Sequence, residues 1–138
     1  MIAALGGCED SAKALHASLG KRITALTIED NRLRIDLDDQ TRLILFDNAQ
    51  YCCEHRYMVT ADDFAQFVGA ELLGAEIKPA HGDEDAHGDV HEIEFLDITT
   101  SKGVFQIANH NEHNGYYGYY GGFSLRYGFS LRCGLEKI

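Results

Sequence analysis

The sequence has no tryptophan, a single proline and few basic residues. Lysine and arginine number 12 against 22 aspartates and glutamates, which gives a net charge of −10. Non-specific binding to DNA or RNA depends on lysine and arginine side chains that neutralise phosphates. The composition therefore argues against DNA or RNA as a partner. A compact site for a small anion remains open, because it needs only a few arginines and well-placed backbone N–H groups.

Long apolar runs and paired-cysteine motifs are absent as well. No run approaches the roughly 18–20 residues that a membrane helix needs, so no membrane partner is expected. None of the four cysteines stands in a Cys-x-x-Cys pair, which argues against a zinc knuckle or a redox motif. Leu5-Gly6-Gly7-Cys8 looks like a lipoprotein cleavage box. A secretory signal requires a basic segment before the cleavage site, and no basic residue precedes Cys8. We therefore expect a cytoplasmic protein with reduced thiols and no cofactor.

The length of 138 residues and the 45% content of hydrophobic residues suit a single domain with one core. Residues 1–20 are predicted as an N-terminal helical extension that starts near Asp10 or Ser11 and ends at Gly20. A sheet core follows over 21–110, and a Tyr/Gly loop with a C-terminal strand segment over 111–138. The expected fold class is α+β, mainly antiparallel β-sheet with short helices at its margins.

Within the core, apolar residues alternate with polar ones, which is typical of half-buried strands. We predict three strands at 23–28, 33–37 and 41–46. The turns between them are short, and short turns can join only antiparallel strands. The elements predicted after them are a helix over 61–69, a strand over 73–79, an exposed acidic loop over 80–89, and a hairpin of 90–99 with 103–108.

The strongest candidate for a binding site is the run Asn109–Tyr117, NHNEHNGYY, which we predict as a loop. Asparagine and histidine carry donors and acceptors and tolerate unusual backbone angles. Tyrosines offer flat faces for a base and hydroxyls for a phosphate or ribose, and glycines let the backbone approach a ligand. The run thus predicts a site for a phosphorylated, nucleotide-like ligand. The alternative is a glycine-rich turn with tyrosines packed beneath it.

Two duplications follow this run. Tyr-Tyr-Gly occurs at 116–118 and 119–121, and Phe-Ser-Leu-Arg at 123–126 and 129–132. At about 3.3 Å per residue, Arg126 and Arg132 would stand roughly 20 Å apart in one unbroken strand. One ligand could then contact both arginines only if the chain folds back or a second subunit supplies one of them.

Three other patterns could carry chemistry. The run 52–55, Cys-Cys-Glu-His, has the residue types of a cysteine nucleophile, but buried unreactive thiols are the simpler interpretation. The loop 81–91 has metal-ligand residue types at a spacing of neither an EF-hand nor a zinc site, so no metal is predicted. Glu112 with His110 or His113 could act as base and acid on a phosphodiester, which leaves hydrolysis as a rival to binding.

The order of these features resembles a phage family. Three strands lead to Phe46-Asp47-Asn48 and Cys52-Cys53-Glu54, then to a helix near Phe64, and finally to NEHNGYY with a later Gly-Gly-Phe. The likeness runs from about Leu19 to Phe123. The family is the first-described type of Thoeris anti-defence protein. Its members sequester the cyclic ADP-ribose isomer made by a bacterial TIR-domain sensor, and they do not cleave it.

The resemblance implies a β-sheet core, a homodimer or a hexamer built from dimers, and ligand pockets between subunits. In the family, an aromatic residue before the loop and an asparagine within it contact the ligand, and Phe105 with Asn111 or Asn114 match these positions. Family members also carry C-terminal arginines tied to a second site for cyclic oligonucleotides. Arg126 and Arg132 are the candidates here, although the duplicated segments give them no one-to-one match.

We therefore expect a non-enzymatic sponge that holds the cyclic ADP-ribose isomer in the bacterial host cytoplasm. The expected ligand contacts are Phe105, Asn109, Asn111, His113, Asn114, Tyr116, Tyr117, Arg126 and Arg132. One alternative is a hydrolase of the same signal. The other is a phage interaction protein whose tyrosines form a protein–protein patch.

Overall fold

The computed structural model describes residues 9–47, 54–84, 90–113 and 131–138, without the side chains at 54, 79–84, 90, 92, 113 and 131. These residues form one α-helix and two four-stranded antiparallel sheets. The helix, α1, is Glu9–Ser18. The first sheet has the order β1-β2-β3-β8, with β1 Ile23–Glu29, β2 Arg32–Leu37, β3 Thr41–Asp47 and β8 Leu131–Lys137. The second has the order β4-β7-β6-β5, with β4 Glu54–Val59, β5 Leu72–Glu84, β6 Val90–Thr100 and β7 Gly103–His113.

The antiparallel meander predicted for the first three strands is confirmed. Leu33, Ile35 and Leu37 of β2 are buried, and the residues between them face outward. Asp30 and Asn31 form the two-residue turn from β1 to β2, with φ of 53° and 58°. Such turns require positive φ at both positions and match the twist of the paired strands. Aspartate and asparagine adopt this conformation more readily than other side chains.

Asn31 also connects the two sheets. Its Nδ2 donates to the carbonyl oxygen of Arg56 at 3.3 Å, and the backbone N–H of Met58 donates to its Oδ1 at 3.3 Å. Because β4 lies at the edge of its sheet, these bonds satisfy backbone groups that have no strand partner on that side. The β1–β2 turn is thereby held against β4.

The prediction of several helices is wrong, because the described residues contain a single α-helix. In place of the helix predicted over 61–69, the structure has a three-residue 3-10 helix, Phe64–Gln66. Thr60 Oγ1 donates to the carbonyl oxygen of Gln106 at 2.8 Å, and Asp62 Oδ2 accepts from its backbone N–H at 2.8 Å. Thr60 and Asp62, which suggested a helix start, therefore bond to the backbone of β7. They extend the pairing of β4 with β7 past the end of β4.

The later strands are longer than predicted. The strand predicted to end at Pro79 continues to Glu84, so the first half of the loop predicted over 80–89 belongs to β5. A register shift between Lys78 and His81 marks the passage through Pro79. Proline is tolerated there because β5 is an edge strand. Asn109–His113, predicted as the start of a loop, lies in β7, because β4 and β6 pair with it on both sides.

One cluster of buried side chains from both sheets forms the core. Phe105 of β7 lies in it at 0% exposure, and its ring centroid is 5.3 Å from that of Phe64 and 5.1 Å from that of Phe67. The predicted N-terminal helix is confirmed as α1, which packs mainly against β8. Its Ser11 Oγ accepts from the backbone N–H of Cys133 at 2.9 Å. The helix thereby covers the outer edge of β8.

Candidate ligand-binding cleft

The inward face of β7 changes from apolar to polar along the strand. Phe105, Ile107, Asn109 and Asn111 are all buried, and they share one face because strand side chains alternate. Asn109 pairs with Glu94 of β6, and Asn111 pairs with Arg56 of β4. The interior between the two sheets is therefore apolar at one end and polar at the other, and the polar end is where β3 and β7 finish.

A buried ion pair joins the sheets at this polar end. Arg56 Nη1 lies 2.8 Å from Asp47 Oδ2, and the two side chains are 4% and 7% exposed. Asp47 is the last residue of β3 in the first sheet, whereas Arg56 belongs to β4 in the second. The attraction between the two charges offsets the cost of removing both from water, which is large for a charge at this depth.

Glu94 lies near this ion pair, and the pKa of its carboxyl is raised. Burial raises the pKa of its carboxyl to about 7, and the charge of Asp47 raises it further than the charge of Arg56 lowers it. Its Oε1 and the neighbouring Asn109 Nδ2 are buried, and neither has a hydrogen-bond partner among the described residues. Buried polar atoms without a partner are rare in folded proteins, so these two atoms hold unused hydrogen-bonding capacity.

We expect the pKa of Glu94 to make stability depend on pH. Between its ordinary value of 4.5 and about 7, the folded protein keeps the proton and the unfolded chain releases it. The free energy of unfolding should therefore fall as pH rises through this window, and it should not recover above it. Relative to Glu94→Gln, the wild type should lose about 1–2 kcal/mol between pH 5 and pH 8, after discounting for solvent access. Urea denaturation at both pH values measures this, and parallel losses in the two proteins would contradict it.

A cleft of about 290 Å³ opens beside the polar end. Its lining residues come from the β1–β2 turn and four strands: Asp30, Asn31, Arg32, Phe46, Asp47, Arg56, Tyr57 and Asn109. Arg32 is exposed, and its Cζ lies 4.7 Å from the centroid of the Phe46 ring. No described carboxylate lies within ion-pair distance of Arg32. The cleft thus combines a cation, an aromatic ring and a buried amide donor.

On the outer face of the second sheet, aromatic and imidazole rings form a separate cluster. Tyr57 stacks on His110 with centroids 4.7 Å apart, and His110 Nδ1 lies 2.7 Å from His91 Nε2. The Tyr57 hydroxyl donates to Glu112, which holds the pKa of that carboxyl below its ordinary value. Burial and the charge of His91 lower the pKa of His110. Glu112 and His110 therefore lie on the face of β7 opposite to Asn109.

Comparison with known proteins gives one match. A family of domains of unknown function, DUF7448, matches residues 16–123. The chain belongs to this family. No curated protein and no solved structure matches it. The part that is shared with DUF7448 contains every residue that lines the cleft, whereas β8 with Arg132 lies outside it.

In this DUF7448 chain, the predicted site residues fall into three groups. Asn109 and Asn111 lie at the polar end of the interior. The second group, Phe105 and Arg132, is not part of the cleft lining, and the Phe105 ring is enclosed in the core by Phe64 and Phe67. Arg132 pairs with Phe46 across β3 and β8. The third group falls outside the described side chains: His113, Asn114, Tyr116, Tyr117 and Arg126.

The sequence-based prediction missed Arg32, Phe46, Arg56 and Glu94. They come from four strands and meet only through the pairing of the sheets. One signal was present, because Arg56 and Met58 alternate with Tyr57 and therefore share a face. A charged residue on the same face as a core methionine indicates a buried ion pair or a site.

In the described part of the chain, no group of three histidine, cysteine, aspartate or glutamate residues is arranged to hold a metal ion. No helix there is long and apolar enough to cross a membrane.

Proposed function

We propose that this protein is a sponge that binds a small phosphorylated, nucleotide-like ligand in the cleft and holds it without cleaving it. The observation that carries the proposal is the meeting in one cleft of Arg32, Phe46 and Asn109 Nδ2, which has no hydrogen-bond partner among the described residues. Arginine forms strong charge-assisted hydrogen bonds with phosphate, and an aromatic ring offers a face for a base. Such a local site can attract an anion although the whole protein carries a net charge of −10.

The ligand that we propose is a cyclic ADP-ribose isomer of the kind made by TIR-domain sensors. Its support is the likeness to the Thoeris anti-defence family together with the chemistry of the cleft. The ligand presents one adenine, two riboses and two phosphates. These groups require aromatic, amide and guanidinium partners, which the cleft lining includes. As that family implies, we also propose a homodimer or hexamer that works in the cytoplasm of an infected bacterium.

The placement of Glu112 and His110 supports binding without hydrolysis. General acid–base catalysis needs groups on both sides of a scissile bond. Glu112 and His110 instead lie side by side on the outer face, where Glu112 accepts a hydrogen bond from Tyr57.

A second site for cyclic oligonucleotides stays part of the proposal. Its described candidate is Arg132, which is placed next to Phe46 on the outer face of the first sheet.

A thermal-shift titration with matched arginine variants tests the proposal. Wild type, Arg32→Gln and Arg22→Gln are titrated with the filtrate of a TIR-activated lysate and with an unactivated control. Arg22 is an exposed arginine before β1, at the opposite end of the sheet. A ligand at a hundredfold excess over Kd stabilises the folded state by about 2.7 kcal/mol. We expect this response from wild type and Arg22→Gln with the activated filtrate alone.

Arg32→Gln should bind about 10–100-fold more weakly, because a charge-assisted hydrogen bond to phosphate contributes about 1.5–3 kcal/mol. An unchanged response of Arg32→Gln would place the ligand elsewhere. No response from the wild type would favour the alternative of a phage interaction protein.

A further inference from the structure

We infer that Glu94 and Asn109 form a hydrogen-bonding pair that reads the edge of a purine base in the ligand. The inference rests on the proposed function and goes beyond it, because it assigns a base-recognition role to two neighbouring side chains of β6 and β7. Neither residue alone would suffice, since a purine edge presents a donor next to an acceptor. The pair offers the matching acceptor and donor.

The first support is the placement of the two side chains. Glu94 and Asn109 are directly paired across β6 and β7, and both belong to the inward face of the sheet. Side chains at directly paired positions have Cβ atoms about 4.5–5.5 Å apart. Asn109 lines the cleft, and Glu94 lies close enough to Asp47 and Arg56 for their charges to alter its proton affinity. Asn109 therefore stands at the inner wall of the cleft, with Glu94 beside it on β6.

The second support is the unused hydrogen-bonding capacity. Asn109 is 2% exposed, and its Nδ2 has no partner among the described residues. The same holds for Glu94 Oε1. Each buried group without a partner costs about 1–3 kcal/mol, so a ligand that supplies a partner to both groups recovers both costs. A donor beside an acceptor completes both at once.

The third support is the chemistry of adenine. Its exocyclic amine donates, and the adjacent ring nitrogen accepts. Glu94 Oε1 would accept from the amine, and Asn109 Nδ2 would donate to the ring nitrogen. A base lacking the amine would leave Glu94 Oε1 buried without a partner. Recognition by hydrogen bonding discriminates strongly for this reason.

Titration with adenosine 5′-monophosphate and with purine riboside 5′-monophosphate, which lacks the amine, tests the pair. Binding to the ¹⁵N-labelled full-length protein is followed by NMR chemical shifts. We expect the wild type to bind the adenine nucleotide about tenfold or more tightly than the analogue. Asn109→Leu should lose about tenfold in affinity for the adenine nucleotide. Its melting temperature should stay close to that of the wild type, since the Nδ2 that it removes has no hydrogen-bond partner among the described residues.

Gln106→Leu is the control, because it makes the same type of change on the opposite face of β7. It should bind both nucleotides as the wild type does. Equal binding of the two nucleotides by the wild type, or unchanged affinity in Asn109→Leu, would overturn the inference and leave the proposed function standing; the pair would then hold a structural water only. No binding of either nucleotide by a wild type that still responds to the activated filtrate would overturn the inference alone, and no response to the filtrate either would overturn both.

Discussion

Replacing Arg56 with methionine is expected to lower the free energy of unfolding by about 3–5 kcal/mol, because it removes the guanidinium that offsets the buried charge of Asp47. The two side chains are 4% and 7% exposed and meet at 2.8 Å. Their pair also joins the end of one sheet to an edge strand of the other, so its loss loosens the wall of the cleft. Urea denaturation at pH 7 measures the change.

Two further variants make this prediction specific. Arg42 forms a partly exposed pair with Asp36, at 2.6 Å from Nε and 3.2 Å from Nη2, and Arg42→Met should lower the urea midpoint far less than Arg56→Met does. The double variant Arg56→Met with Asp47→Leu should regain most of the lost stability, because apolar residues of similar size often replace a buried pair without loss. Similar losses in Arg42→Met and Arg56→Met would contradict the buried-pair interpretation.

Phe105→Ala is expected to cost about 3–5 kcal/mol, the range for truncating a fully buried phenylalanine. The ring is 0% exposed and contacts Phe64 and Phe67 in the core. The resemblance to the anti-defence family assigned this residue to the ligand instead. The structure gives its ring a packing role, so its removal should act through stability, measured by thermal and urea unfolding.

Conservative leucine variants separate packing from ligand binding. Phe105→Leu should cost about 1 kcal/mol and leave the response to the activated filtrate intact. Phe46→Leu should change stability little and weaken the response to the activated filtrate. The reason is that the Phe46 ring lines the cleft beneath Arg32 and is only partly buried. If Phe105→Leu lost the ligand response while Phe46→Leu kept it, the ligand would lie where the resemblance placed it and not in this cleft.

Local patterns predicted the first three strands of the first sheet well. The alternation of Leu33, Ile35 and Leu37 with charged residues set both the strand and its facing, and Asp30-Asn31 marked the turn with its positive φ. The helix expected over 61–69 failed for a long-range reason. Thr60 and Asp62 bind the backbone of β7, some 44 residues further along the chain, and no local pattern shows such a partner.

The candidate site was predictable only in part, for the same reason. Asn109 and Asn111 stood out by composition, but their location in a central strand depends on pairing with β4 and β6. That pairing turns them toward the interior, where Glu94 and Arg56 join them. A contiguous motif can suggest which residue types bind, whereas the cleft depends on residues that only the folded sheets bring together.

The most direct test of the proposed sponge is mass spectrometry of the ligand released from its complex. The purified protein is loaded with filtrate from TIR-activated cells, washed, and heated until it unfolds. We expect an intact cyclic ADP-ribose isomer, with the mass and retention of the input and in an amount close to the number of folded sites. Recovery of linear ADP-ribose or smaller fragments, abolished in Glu112→Gln, would contradict the account and identify a hydrolase.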